Sequence, residues 1–237
     1  MAASKSKTPK TFAPSLAGRC LRYTVMDLLG FGRSLNQETL AAMHAGTAWH
    51  KIFRTQLARD SNVLALERPL KDGDLGIFGR IDAVIIQEGR TVAVEYKTVH
   101  DERFREIGHY GPVFEHWAQL ALYVNFGGYD YGRLIVDNRD THERLTWLVF
   151  PNALWKSWII RRIRMAQDYQ QRRSLPPREI SVRCLQCDRW QRCFKTAEER
   201  DQRVTEHPQW EPEPPFPEPF VLIGAYLPLD QQAGDAT

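Results

Sequence analysis

Apolar positions fall in two rhythms along this chain. From 34 to 59 they recur at helical spacing, with Leu40, Met43, Trp49, Ile52, Phe53 and Leu57 along one predicted helix. Ser34 and Gln37 stand as a capping box at its start. Gly46 interrupts the stripe at a cost in helix propensity, which calls for a packing or functional reason such as the close approach of another backbone. Beyond it, short strand-like runs take over. Val63–Glu67, Ile77–Ile86 and Thr91–Lys97 read as strands, with turn signals at Lys71-Asp72-Gly73-Asp74 and Glu88-Gly89-Arg90. Pro112 to Phe126 reads as a helix closed by Gly127-Gly128. Strands near Gly132–Val136 and Arg144–Phe150 follow, then a long basic amphipathic helix over Pro151–Arg173, stopped by Pro176-Pro177. Helix, three strands, helix, two strands, helix is the order of an α/β domain with a mixed central sheet flanked by helices. Pro208–Phe220 then holds six prolines and three glutamates, which predicts an extended tail. Phe216, Phe220, Val221, Leu222, Ile223 and Tyr226 are its means of docking on the body.

Composition narrows the class. The 237 residues suit one α/β domain with a small appendage, long enough to bury a core without disulfides. Hydrophobic residues at 43% and charged residues at 26% exclude wholesale disorder. No run of 18 apolar residues predicts a transmembrane helix, and the opening MAASKSKTPK lacks the apolar core of a signal peptide. A cytoplasmic location with reduced thiols is therefore expected, where four cysteines mean metal, redox chemistry or no special role, and only their positions decide. The net charge of +3 conceals an asymmetry. Trp155–Lys195 carries eleven basic against three acidic residues, and Thr196–Thr237 two against nine. The first segment is suited to facing a polyanion, or is simply a solvated arginine-rich face.

Chemistry concentrates in two strands. Asp82 lies in Gly79-Arg80-Ile81-Asp82, and Glu95 and Lys97 lie in Glu95-Tyr96-Lys97, where i and i+2 share a face. A hairpin turn at Glu88-Gly89-Arg90 brings Asp82 beside Glu95. Charges so placed are poor core material unless paired or metal-bound. They form either a structural carboxylate–lysine pair or a hard-cation site. In the second case the carboxylates take Mg²⁺ or Mn²⁺, and the lysine orients water or neutralises phosphate charge. His50, one turn after Gly46, is a candidate further ligand. Gln119 and Tyr123, at i and i+4, share a helix face and are candidates for donating to phosphates, though packing alone accounts for such a pair.

Gly46-Thr47-Ala48-Trp49-His50, Gly79-Arg80-Ile81-Asp82, Glu95-Tyr96-Lys97 and Gln119-Leu120-Ala121-Leu122-Tyr123, in this order, resemble the PD-(D/E)XK nuclease superfamily. More narrowly they resemble its RecB-like branch, with its histidine, aspartate, E-x-K and Q-x-x-x-Y motifs. The match spans roughly residues 46 to 123; the proline that precedes the aspartate in the superfamily pattern is isoleucine here. The resemblance implies a restriction-endonuclease-like fold. It also implies a Mg²⁺ or Mn²⁺ site on His50, Asp82 and Glu95, with the Tyr96 carbonyl as a further ligand. Asp82, Glu95 and Lys97 become the catalytic set, and Gln119 and Tyr123 substrate contacts.

Cys184, Cys187 and Cys193 form C-x2-C-x5-C, and Cys20 lies far upstream. Four thiolates so arranged suit zinc or an iron–sulfur cluster, provided the two ends of the chain meet. RecB-like nucleases with one cysteine before the core and three after it include the AddB-type and the CRISPR-associated members. That resemblance implies a 4Fe–4S cluster on Cys20, Cys184, Cys187 and Cys193, acting as a structural staple. The implied activity is a metal-dependent deoxyribonuclease, an exonuclease on single-stranded DNA or DNA ends, in recombination, repair, phage DNA metabolism or CRISPR spacer acquisition. Its implied partners are DNA and the proteins of recombination or CRISPR adaptation. Residues 1–195 would be the nuclease domain and 196–237 an acidic tail. Arg161, Arg162, Arg164, Arg172, Arg173, Arg183, Arg189 and Arg192 are candidates for tracking the DNA backbone. Trp155, Trp158 and Trp190 are candidates for stacking bases, although core positions are the commoner fate of such residues. The other reading is a non-catalytic DNA-binding subunit of a DNA-processing complex, against which the clustered carboxylates argue.

Overall fold

Gln87 pairs with Arg90 across a two-residue turn in which Glu88 and Gly89 both take positive φ, 52° and 73°. Positive φ at both central residues gives the turn whose twist matches the flanking strands, and glycine adopts it without steric cost. In the computed structural model, which describes residues 10–33, 35, 37–208, 210–216 and 221–226 (residue 38 and the last six by backbone alone), this hairpin lies within a six-stranded sheet. Its strands are β1 (Val63–Asp72), β2 (Ile77–Gln87), β3 (Arg90–Val99), β4 (Tyr131–Asn138), β5 (Arg144–Val149) and β6 (Val221–Tyr226), side by side in chain order. All neighbours are antiparallel except β3 and β4, which run parallel. A parallel pair needs a crossover, supplied by α3 (Asp101–Tyr110) and α4 (Phe114–Gly127).

The remaining helices are α1 (Leu21–Leu28), α2 (Gln37–Leu57), α5 (Ala153–Gln171) and α6 (Ala197–Glu206). The larger core, under α4 and α5, includes Trp117, Leu120, Leu134, Val136, Ile159 and Ile163. The other face of the sheet carries a smaller cluster, in which Phe53 of α2 meets Ala83, Val94, Tyr96 and Ile135. This is the mixed sheet flanked by helices that the hydrophobic pattern predicts.

Several expectations are corrected. The first strand does not stop at Glu67 but runs through Pro69 to Asp72; β1 is an edge strand, where a missing N–H is tolerated. Trp155 and Trp158 are not base-stacking platforms: 1% and 5% exposed, they fill the core beside Phe114. Three of the eight arginines are spent inside the protein. Arg162 donates to the Arg19 carbonyl at 2.6 Å, and Arg183 to the Gly18 carbonyl and Glu115. Arg189, 2% exposed, donates to the Phe31 carbonyl at 2.6 Å and to Asp27 at 2.5 Å, with its guanidinium over the Tyr23 ring. These bonds tie residues 18–31 and α4 to α5 and the segment after it.

The chain after 195 is more than a tail. It forms α6, packs Trp210 and Phe216 on Phe114, and adds β6 to β5. The docking expected of Phe216 is therefore seen. Phe220 and the side chains of Val221, Leu222, Ile223 and Tyr226 lie outside the described residues, as does the capping Ser34. Among the described residues no helix is long and apolar enough to cross a membrane.

Candidate active site

The pairing of β2 with β3 ends at Ala83 and Val94, and from there β2 continues against β1, with Phe12 bridging its far end at Ile77. Asp82 is the first residue past the fork. Its Oδ2 accepts the Tyr96 backbone N–H at 2.9 Å, replacing the ladder partner that the diverging strand no longer supplies. Its Oδ1 lies 3.2 Å from Nδ1 of His50, on α2. Glu95 and Lys97 share a face of β3, with Nζ 2.7 Å from Glu95 Oε1 and 3.4 Å from Gln119 Oε1 on α4. The structure thus brings His50, Asp82, Glu95, Lys97 and Gln119 together at the fork. Tyr123, one turn after Gln119, donates its hydroxyl to the Arg80 carbonyl at 2.6 Å and so holds β2. Gln119 and Tyr123 are buried, and these bonds brace the centre from behind.

Burial sets the electrostatics. Glu95 is 2% exposed, and desolvation lifts its carboxyl to about 7, although the Lys97 ammonium pulls the other way. Burial is the largest single influence on Lys97 and works against its charge, but the Glu95 and Asp82 carboxylates together leave the ammonium above its ordinary value. Glu95 Oε2 is buried with no hydrogen-bond partner. A carboxylate oxygen in that position, with Asp82 within electrostatic reach, suits a hard cation, which prefers oxygen ligands and cancels the local negative charge. Among the described residues no three His, Cys, Asp or Glu side chains close into a coordinating group. The donors are held instead as the His50–Asp82 and Glu95–Lys97 pairs.

The fork opens onto a groove of about 510 Å³ lined by Met43, Gly46, Thr47, His50, Arg54, Glu67, Asp82, Lys97 and Thr98. Glu67 and Arg54 carry no motif in the sequence. Glu67 falls between the pairs Leu66–Ala83 and Arg68–Ile81, hence across from Asp82, and its φ of 51° is visible only in the structure. Arg54 pairs with it. No protein backbone approaches Gly46 among the described residues, contrary to the expectation for that glycine.

The opposite face of β3 holds the centre in place. The Tyr96 ring stacks on Phe53, 3.9 Å between centroids and 4° between planes, and meets His50 edge-on at 5.2 Å. Its hydroxyl donates to Asp137 Oδ2 at 2.9 Å, and Arg144 clamps Asp137 with bonds of 2.6 and 2.7 Å. Asp137 and Arg144 are cross-strand partners on β4 and β5, a pairing recoverable from opposite charges flanking a short loop. Tyr96→Phe is expected to lower stability by about 1 kcal/mol, because Arg144 still satisfies Asp137. Thermal denaturation checks this.

The four cysteines come to one neighbourhood. Cys20 sits at the N-cap of α1, its Sγ accepting from the Tyr23 N–H at 3.3 Å. Cys20, Cys184 and Cys187 line a cavity of about 40 Å³, and Cys193 lies within electrostatic reach of Cys184. Burial pushes the Cys20 thiol up to about 12, so a bound metal would have to displace its proton. All four thiols are free, and their donor chemistry fits a thiolate-bound metal or cluster even though they do not close around a centre.

Solved structures share the fold of this chain. One is SSO0001, at a TM-score of 0.54 and 20% identity over 81% of this chain and 89% of that one. Another is an alkaline exonuclease from Laribacter hongkongensis, at 0.54 and 11% identity over 69% and 89%; the same enzyme in complex with dAMP matches at 0.54 and 12% identity. The chain thus shares a mixed α/β fold with structures that include an exonuclease. No family model matches the sequence, and no curated protein does. At such identities the likeness describes the backbone alone.

Proposed function

We propose that this chain is a Mg²⁺- or Mn²⁺-dependent deoxyribonuclease, an exonuclease acting on single-stranded DNA or DNA ends. The observation that carries the reading is Glu95 Oε2, a buried carboxylate oxygen without a hydrogen-bond partner, in the field of Asp82 and Lys97, which themselves line an open groove. His50, Asp82, Glu95 and the Tyr96 carbonyl would hold the divalent ion, which supplies charge to polarise a phosphodiester and acidify water. Lys97 positions that water or meets the negative charge developing on the phosphate. Asp82 fixes His50 on one side and the β3 backbone on the other, so the donors keep their spacing. The solved exonuclease with dAMP supports a nucleotide-sized product.

Cys20, Cys184, Cys187 and Cys193 are proposed to hold a 4Fe–4S cluster that staples residues 18–31 to the segment after α5. The setting proposed is the cytoplasm, with recombination or CRISPR adaptation proteins as partners. Visible absorbance with iron and sulfide analysis of anaerobically purified protein tests the cluster; zinc without iron overturns it. Digestion of end-labelled single- and double-stranded DNA with Mg²⁺ or Mn²⁺ tests the activity, and an inert protein overturns the nuclease reading.

The raised Glu95 carboxyl gives a pH prediction. Between about 4.5 and about 7 the metal-free folded protein keeps a proton that the unfolded chain has lost. This group's contribution to stability is therefore full below that window and is lost as pH rises through it. A divalent ion must displace the same proton, so Mn²⁺ affinity is expected to fall about tenfold per pH unit below 7. Calorimetry in two buffers of different ionisation enthalpy should count about one proton released at pH 6 and almost none at pH 8.

A further inference from the structure

Gly46 sits inside α2, one turn before His50 on the same face, where glycine is the least favoured residue other than proline. Two structural reasons for a helical glycine are missing. Its φ is not positive, and among the described residues no atom beyond its own helix lies within 4 Å of where a Cβ would stand. Glycines kept for packing look different in this molecule: a Cβ on Gly18 would stand 2.5 Å from the Glu115 Cα, and one on Gly132 2.7 Å from Leu120 Cδ1. What Gly46 does face is the groove that His50, Asp82 and Lys97 also line. Beside it, Met43 is 46% exposed, an apolar surface at the edge of a charged site.

We infer that Gly46 is a clearance residue for the substrate: the sugar–phosphate backbone next to the scissile phosphate crosses α2 at this missing side chain, with its base against Met43. This rests on the nuclease reading and adds the path of the strand to it. A methyl at 46 would narrow the crossing, and a branched side chain would fill it. The methyl touches none of the ion-binding donors, since nothing beyond the helix lies within 4 Å of it among the described residues.

The geometry separates this role from a structural one, because alanine favours the helix while obstructing the strand. Gly46→Ala is expected to melt about 3 °C higher than wild type. It should nevertheless cleave a single-stranded oligonucleotide about tenfold more slowly in single-turnover assays with Mn²⁺. Gly46→Leu should lose a hundredfold or more, with Mn²⁺ affinity by calorimetry within twofold of wild type. Met43→Ala should weaken oligonucleotide binding several-fold with the same metal affinity. An active wild type matched by both Gly46 variants overturns the inference and leaves the nuclease reading standing. Loss of Mn²⁺ binding in step with cleavage also overturns it, by assigning Gly46 to the metal site. A wild type inert on all DNA overturns the nuclease reading itself, and the inference with it.

Discussion

Asp82→Ala is expected to abolish DNA cleavage, with a loss of at least about a thousandfold, or about 4 kcal/mol of transition-state stabilisation. Both oxygens of this carboxylate are in use. Oδ1 engages His50, and Oδ2 takes the Tyr96 N–H at the point where β2 leaves β3. Truncation removes a proposed ligand, frees His50 and leaves a buried backbone N–H without its acceptor, for a stability loss of about 1–3 kcal/mol. Asp82→Asn separates these effects. The amide oxygen can still accept from Tyr96, so the strand fork should survive while the negative charge is lost. Single-turnover cleavage together with thermal denaturation checks both. An Asp82→Asn protein that melts like wild type and still cuts at the wild-type rate would remove Asp82 from the chemistry.

Lys97→Met is expected to cost cleavage about a hundredfold to ten-thousandfold. It keeps most of the side-chain volume and removes the charge that stands 2.7 Å from Glu95. The ammonium is the strongest influence holding the Glu95 proton affinity down against burial. Without it the carboxyl should hold its proton to still higher pH, and the pH profile of Mn²⁺ binding should move in the alkaline direction. The paired shift is diagnostic, because a lysine that only packed against the sheet would change neither the rate nor that profile. Lys97→Arg should not rescue cleavage, since a planar guanidinium cannot occupy the place of a compact ammonium between Glu95 and Gln119.

Much of the centre is legible from local rules. The Glu88-Gly89 turn fixes the register of β2 against β3, register places Asp82 at the fork, and the two-residue period puts Glu95 and Lys97 on one face. Helical spacing connects Gly46 to His50 and Gln119 to Tyr123. What the sequence conceals is mostly partnership. A count of arginines finds a basic segment but not that Arg162, Arg183 and Arg189 are bound to carbonyls and carboxylates more than 65 residues away. α1 is hidden because its cap is a cysteine rather than a hydroxyl or amide residue. α3 is hidden because only Phe104 and Ile107 of its ten residues are buried. Glu67 is missed because its placement depends on a positive φ, which nothing in a strand of ordinary residues announces.

The stitching of residues 18–31 to the segment after α5 bears on how the protein is made. Arg22 reaches the Pro176 carbonyl, the Leu21 N–H reaches Glu179 and Arg189 reaches Phe31, across separations of 154 to 158 residues. On a ribosome, residues 18–31 must wait for a segment made 154 to 158 residues later before these bonds can form. The sheet from β1 to β4 and the fork at Asp82 are complete in sequence within that interval, so the cleft can form before these long-range bonds are tied.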